Sequence, residues 1–224
     1  MKNNNLRLLT GIPIFASLAF VVTLVCQIIP PVGGFLSIDF KDAIIAIASF
    51  IYGPLTAVVC SLLVAFIELI TISTTGWYGF LMNFVSSAIF STVAALIYRK
   101  WKSINGALAG FFAAVILTTS AMLLLNIFVT PLYMAQIGVP LDRDGVIAMI
   151  PEMLLPFNLS KSLVNSAIAM LLYKPIITSL RKLKLVEGGD KGSLSFNSDT
   201  VKILIVGGIT LLVSVGILIY ISLK

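Results

Sequence analysis

Asn158, Lys161 and Asn165 are spaced three and four residues apart, so a helix places all three on one face. Pro156 suits a first helical turn, which predicts a helix that starts there and continues through an apolar run to basic residues at 181–184. One ammonium and two amides then lie near one end of a membrane-spanning helix. A charge in hydrocarbon costs roughly 2.5–3.5 kcal/mol on insertion scales, so the lysine needs a partner, water or a ligand. These three residues could bind a ligand. Alternatively, the lysine could extend to the membrane interface, or form a salt bridge that only holds helices together.

Composition indicates an all-α integral membrane protein. The 224 residues are 59% hydrophobic and 11% charged, and their mean hydropathy of +1.10 excludes an ordinary soluble domain. The net charge of +6 lies mainly in short clusters between apolar runs, which indicates cytoplasmic loops and no nucleic-acid partner.

The residue types also argue against an enzyme. The sequence has no histidine, which excludes Ser-His and Cys-His nucleophilic pairs and histidine metal sites. Cys26 and Cys60 lie inside apolar runs without metal or disulfide spacing, and no Gly-rich phosphate loop occurs. We therefore expect no catalytic residues, no metal and no cofactor.

The apolar runs predict seven membrane spans with a cytoplasmic N-terminus. Gly53-Pro54 is a strong turn signal that divides the run 43–73 into two short spans. A single span there would place Arg99, Lys100 and Lys102 outside, against the positive-inside rule. Asp42 is expected to cap the second span. The predicted spans are residues 8–29, 43–53, 55–73, 80–98, 105–129, 157 to about 180, and 201–223.

This topology predicts three regions. They are a six-helix membrane domain over residues 1–185, a cytoplasmic linker at 186–200, and an additional C-terminal transmembrane helix at 201–224.

Polar residues from three different spans are predicted to share one depth. Glu68, Asn126 and Lys161 each lie about five residues inside the outer end of their span, which is ~7 Å below the boundary. Such a layer could form a pocket for a flat small molecule with polar edges. Alternatively, Glu68 and Lys161 form a structural ion pair and the asparagines only bridge helices. The neighbouring polar residues are Asn83, Asn158 and Asn165, and the aromatic residues of the outer loops are Phe40, Trp77, Tyr78 and Tyr133.

Five segments resemble one protein family. Residues 155–166 (LPFNLSKSLVNS) and 171–175 (LLYKP) are similar to the sixth helix of bacterial riboflavin-binding S components of energy-coupling factor (ECF) transporters. Residues 38–42 (IDFKD), 76–83 (GWYGFLMN) and 124–133 (LLNIFVTPLY) resemble the same family in the same order. The resemblance covers about residues 8–185.

The resemblance implies a six-helix S-component bundle in a bacterial cell membrane, to which the run 201–223 adds a helix. It further implies a riboflavin site on the outer side, a first-loop lid, and transport with a membrane scaffold (T) subunit and two ATPases. Asn126, Asn158 and Lys161 would bind the isoalloxazine edge, and Glu68 would lie at the ribityl side. The full substrate-binding set implied is Asp39, Phe40, Glu68, Trp77, Asn83, Asn126, Asn158, Lys161 and Asn165. Family members usually carry a small-residue patch on the first helix where the scaffold docks, for which Ala16, Ser17 and Ala19 are the nearest match.

Two alternatives stay open on the sequence. The same fold could bind another vitamin or precursor, or the chain could be a structural subunit of a different membrane complex that binds no small molecule.

Overall fold

The computed structural model describes residues 2–182 and 198–223, and these residues form an all-α fold. A π-helical turn, Ile150–Leu154, lies between α6 and α7. We refer to residues 27–40, between α1 and α2, as loop 1. The helices are α1 Lys2–Cys26, α2 Lys41–Tyr52, α3 Pro54–Thr71, α4 Gly76–Lys100, α5 Ile104–Gln136, α6 Arg143–Ala148, α7 Leu155–Lys182 and α8 Ser198–Leu223.

Among the described residues, five helices are long and apolar enough to cross a membrane, judged by length and composition. They comprise Leu8–Cys26, Pro54–Thr71, Gly76–Lys100, Ile104–Gln136 and Val201–Ser222. The helix that carries Lys161, α7, has 28 residues. Helices α1–α5, α7 and α8 coincide with the seven runs predicted as spans.

The run 43–73 forms two helices that separate at the predicted turn. Gly53 has a φ of 105°, which favours glycine, and Pro54 begins α3. With 12 residues, α2 is ~18 Å long, shorter than a bilayer core. Its residues 41–49 are all buried, so neighbouring helices shelter this short segment from lipid.

The prediction that Asp42 caps α2 was wrong. Phe40 occupies the N-cap position without a side-chain cap, and Asp42 lies inside the first turn, where it accepts a hydrogen bond from the Ser87 hydroxyl. The cap comes from another helix, because Asn165 Oδ1 on α7 accepts a hydrogen bond from the Ala43 amide at 2.9 Å. No pattern within residues 38–43 could have predicted a cap supplied from 122 residues away.

The outer segment after α5 also differs from the prediction. The predicted span ends at residue 129, but the helix continues through Pro131 to Gln136. Proline is tolerated within a membrane helix when neighbouring groups satisfy the freed carbonyl. The remaining outer segment contains α6 and the π-helical turn. Asp142 caps α6, because its Oδ1 accepts a hydrogen bond from the Gly145 amide at 2.9 Å.

The small-residue face on α1 points inward. Ala16 and Ala19 belong to the main buried apolar cluster, with Ala19 completely buried, and of the three residues only Ser17 is exposed. The predicted docking face is therefore not available to a partner as a unit. Small residues on a membrane helix permit close contact, and here that contact is made within the chain itself.

α8 runs along α7 in the opposite direction. Ile203 joins the main apolar cluster, to which Leu171 and Ile176 of α7 also belong, and Gly207 lies close to Leu171. Leu218, near the end of α8, joins a second cluster with Leu154, near the start of α7. The predicted linker, 186–200, falls mostly on residues 183–197, which lie outside the described part of the chain.

Candidate functional site

A cavity of about 700 Å³, including its open mouth, lies between α4, α5, α7 and loop 1. Its lining combines aromatic and apolar side chains with a few amides, hydroxyls and one ammonium. The lining residues are Phe35, Leu36, Ser37, Thr75, Tyr78, Gly79, Met82, Asn83, Ser86, Met122, Asn126, Val129, Thr130, Tyr133, Phe157, Asn158 and Lys161.

The asparagines that line the cavity from α5 and α7, Asn126 and Asn158, have defined amide orientations. Asn158 Nδ2 donates to the Leu154 carbonyl oxygen at 2.7 Å. Asn126 Nδ2 donates to the Met122 carbonyl oxygen at 2.7 Å, and its Oδ1 accepts from the Thr130 hydroxyl at 2.8 Å. Because a carbonyl can only accept, each NH₂ group must face its helix. Each amide keeps a second N–H and further acceptor capacity that can face the cavity.

Lys161 links the cavity to loop 1. Its Nζ donates to Asp39 Oδ2 at 2.8 Å and contacts the Ser37 carbonyl oxygen at 3.4 Å. Burial works to raise the pKa of Asp39, but the ammonium groups of Lys161 and Lys41 outweigh it and hold that pKa below its ordinary value. Asp39 is therefore ionised at neutral pH, and the ion pair fastens loop 1 to α7.

A second buried ion pair lies behind the cavity. Lys41 Nζ donates to both carboxylate oxygens of Glu68, at 2.7 and 2.8 Å, and lies 3.6 Å from Asp39 Oδ2. Glu68 Oε2 also accepts from Asn83 Nδ2 at 2.9 Å. A continuous polar chain thus connects Lys161 on one wall of the cavity with Asn83 on another, through loop 1, α2 and α3.

Comparison with known proteins identifies the fold and its class. The sequence profile of the family described as "ECF transporter, substrate-specific component" matches residues 7–173. The chain belongs to this family. It is therefore a multi-pass membrane transport component and not an enzyme.

Named relatives agree with this assignment. The chain is similar to the "Riboflavin transporter RibU" of Staphylococcus aureus (strain TCH60), with 29% identity over 180 residues that cover 80% of this chain and 94% of the relative. It is also similar to the "Riboflavin transporter FmnP" of Bacillus subtilis (strain 168), with 26% identity over 77% of this chain and 95% of the relative.

A solved structure extends the likeness to three dimensions. The structure described as "Structure and mechanism of the S component of a bacterial ECF transporter" superposes with a TM-score of 0.65 at 29% identity. It covers 79% of this chain and 98% of the other chain. The family match ends at residue 173, so α8 is an addition to the S-component fold.

Four residues of the predicted binding set line the cavity of this S component. They are Asn83, Asn126, Asn158 and Lys161. Tyr78 and Tyr133, two of the aromatic residues predicted in the outer loops, also line it, with ring centroids 6.2 Å apart in an edge-to-face arrangement.

Three further residues of that set lie behind the cavity wall. Glu68 bonds to Lys41 and Asn83, and Asp39 bonds to Lys161. Asn165 caps α2 and donates to the Asp39 carbonyl oxygen at 3.0 Å. The alternative of a Glu68–Lys161 ion pair is wrong, because each of these groups has a different partner.

Phe40 and Trp77 do not line the cavity. Phe40 packs against the buried apolar cluster beneath loop 1, and Trp77 is 70% exposed at the start of α4. The position of Trp77 matches an interfacial aromatic residue.

Sequence reasoning missed several residues around the site. Lys41 was overlooked because it lies in a short charged segment that reads as a loop, although buried Glu68 required a cation. Met122 and Thr130 could have been found, since they lie four residues before and after Asn126 and so share its helix face. Phe35, Met82 and Phe157 gave no sequence signal beyond apolarity.

Trp77→Ala is expected to leave ligand binding within about twofold of the wild type, because an exposed interfacial side chain contributes packing with lipid and not with the cavity. The measurement is a titration with riboflavin, the compound in the names of the relatives, followed by quenching of flavin fluorescence. A loss of tenfold or more would show that Trp77 closes over the ligand.

Proposed function

We propose that this chain is the riboflavin-capturing subunit of an ECF importer and binds the vitamin in the cavity between α4, α5, α7 and loop 1. The observation that carries the proposal is the convergence of Asn126, Asn158 and Lys161 on one cavity. The names of the relatives supply the ligand, and the chemistry of the cavity walls supports it independently.

The polar groups suit the edge of a flavin ring. That edge presents two carbonyl oxygens on either side of the N3–H, so it needs donors flanking an acceptor. Lys161 has three N–H donors, of which two are directed at Asp39 and Ser37. The asparagine amides, held by their helix carbonyls, can supply the acceptor and a further donor.

The apolar lining suits the faces of the same ring. Phe35, Phe157 and Tyr78 offer aromatic surface, and aromatic pairs gain about 0.5–1.5 kcal/mol beyond the area they bury. Met82 and Met122 add polarizable thioethers, which make favourable contacts with aromatic rings.

The proposed orientation places the cavity on the outer side of the membrane and the N-terminus in the cytoplasm. α4 supports it, because Tyr78 and Gly79 at its start line the cavity while Arg99 and Lys100 form its last turn. At 1.5 Å per residue, the positions from Tyr78 to Arg99 span ~32 Å along the helix, and the positive-inside rule assigns the basic end to the cytoplasm.

Transport against a gradient requires energy from other subunits. The sequence has no G-x-x-x-x-G-K-[ST] phosphate loop. We therefore propose that the chain works with a membrane scaffold subunit and two ATPases on the cytoplasmic side, with riboflavin as its transported ligand and no cofactor of its own.

The test is fluorescence titration of the purified protein with riboflavin and with N3-methylriboflavin. We expect riboflavin to bind at submicromolar concentration and the methylated compound to bind at least roughly tenfold more weakly, because methylation removes the donor that an asparagine oxygen accepts. Thiamine, which lacks the fused ring, should not compete. Absence of riboflavin quenching, or equal binding of the methylated compound, would contradict the proposal.

A further inference from the structure

α8 presents one narrow face to the rest of the protein. Its buried residues are Ile203, Gly207, Ser214, Leu218 and Ile221, which follow helical spacing along one side. The other side consists of exposed large apolar residues suited to lipid. α8 therefore packs against the rest of the protein along its whole length.

The two ends of this face join different parts of the protein. Ile203 belongs to the main cluster of the bundle. Leu218 and Ile221 belong to the second cluster, together with Val32, Leu36 and Ile38 of loop 1. The same cluster contains Phe157, and both Leu36 and Phe157 line the cavity.

Loop 1 is therefore held from two sides. On the cavity side, Lys161 bonds to Ser37 and Asp39. On the other side, the loop folds back at Gly33 and Gly34, which have φ values of 60° and 82°, so that the Val32 and Leu36 amides bond to each other's carbonyl oxygens at 2.9 and 3.0 Å. Val32 and Leu36 then both point into the cluster that the end of α8 completes.

We propose that the C-terminal end of α8 positions loop 1 over the cavity and so slows ligand release. Leu218 and Ile221 are the positioning residues, and they act through Leu36 and Phe157 without touching the ligand. Val32, Leu36 and Ile38 join the cluster in the same loop position in which Leu36 lines the cavity, so apolar contacts with α8 favour this position of the loop. The ligand in this inference rests on the proposed function, whereas the effect on loop 1 does not.

The test compares two isoleucines on the same helix. Ile203 and Ile221 are 9% and 8% exposed, so Ile203→Ala and Ile221→Ala remove the same atoms from equally buried sites. In the full-length protein we expect Ile221→Ala to speed riboflavin dissociation several-fold, and Leu218→Ala/Ile221→Ala roughly tenfold. Ile203→Ala should leave the riboflavin dissociation rate within about twofold of the wild type. It should lower thermal stability by about as much as Ile221→Ala does. Dissociation is followed as flavin fluorescence recovers after dilution.

A second readout needs no ligand. Hydrogen exchange at the Val32 and Leu36 amides should be faster in Ile221→Ala than in Ile203→Ala, because only the former loosens loop 1. If Ile221→Ala folds poorly, Ile221→Val provides a milder variant with the same expected direction. Equal exchange in both variants overturns the inference. Absence of flavin binding by the wild type, with different exchange in the two variants, refutes the proposed ligand alone.

Discussion

Lys161→Ala is expected to weaken riboflavin binding at least about 100-fold, because it removes both a charged donor in the cavity and the anchor of loop 1. Lys161 Nζ lies 2.8 Å from Asp39 Oδ2 and reaches the Ser37 carbonyl oxygen. A hydrogen bond to a charged group contributes about 1.5–3 kcal/mol. The loss of loop closure adds to it, so the effect should exceed that of any single asparagine substitution. Fluorescence titration measures the change.

A paired variant separates binding from folding. Lys161→Ala alone leaves the buried Asp39 carboxylate with only Lys41, at 3.6 Å, and this could lower stability by itself. Asp39→Asn/Lys161→Met removes both charges and keeps the side-chain lengths close to native. We expect this double variant to regain thermal stability but not riboflavin affinity. Native affinity in either variant would show that Lys161 has only a structural role.

Lys41→Met is expected to give the largest loss of stability among the substitutions considered, about 3–5 kcal/mol. Lys41 is 2% exposed and contacts both oxygens of Glu68. Without it, the Glu68 carboxylate would be buried with only the neutral Asn83 amide as partner. For a protein of this size the loss corresponds to a fall of roughly 10 °C in melting temperature, measurable by thermal unfolding in detergent.

The matched control is Lys41→Met/Glu68→Gln, which removes the cation and the carboxylate together. We expect it to recover most of the melting temperature, because the cost of the single variant comes mainly from the unpaired buried charge. A double variant that is less stable than Lys41→Met would instead mean that the two side chains contribute independently through packing.

Features confined to one helix could be predicted from the sequence. The spacing of Asn158, Lys161 and Asn165 placed them on one face of α7, and the structure has all three directed toward loop 1, α2 or the cavity. Gly53-Pro54 marked the break between α2 and α3. These predictions needed only helix periodicity and local turn chemistry, which do not depend on neighbouring helices.

Features that depend on how helices rotate against one another could not be predicted. Ala16 and Ala19 looked like a docking face but are buried within the chain, and Trp77 was expected in the binding set but is exposed. In a membrane helix, apolar residues cover the buried and the lipid-facing sides alike, so hydrophobicity does not reveal which side faces the protein.

Composition and residue spacing were enough to predict a helical membrane protein with a layer of polar groups near one end of its helices, because they specify helices and depth. The partners within that layer became known only from the folded arrangement. Lys161 pairs with Asp39, Glu68 pairs with Lys41, and the α2 cap comes from α7. The path of loop 1 brings Asp39 and Lys41 beneath the cavity, and a pairing between distant segments depends on that path, which no local pattern encodes.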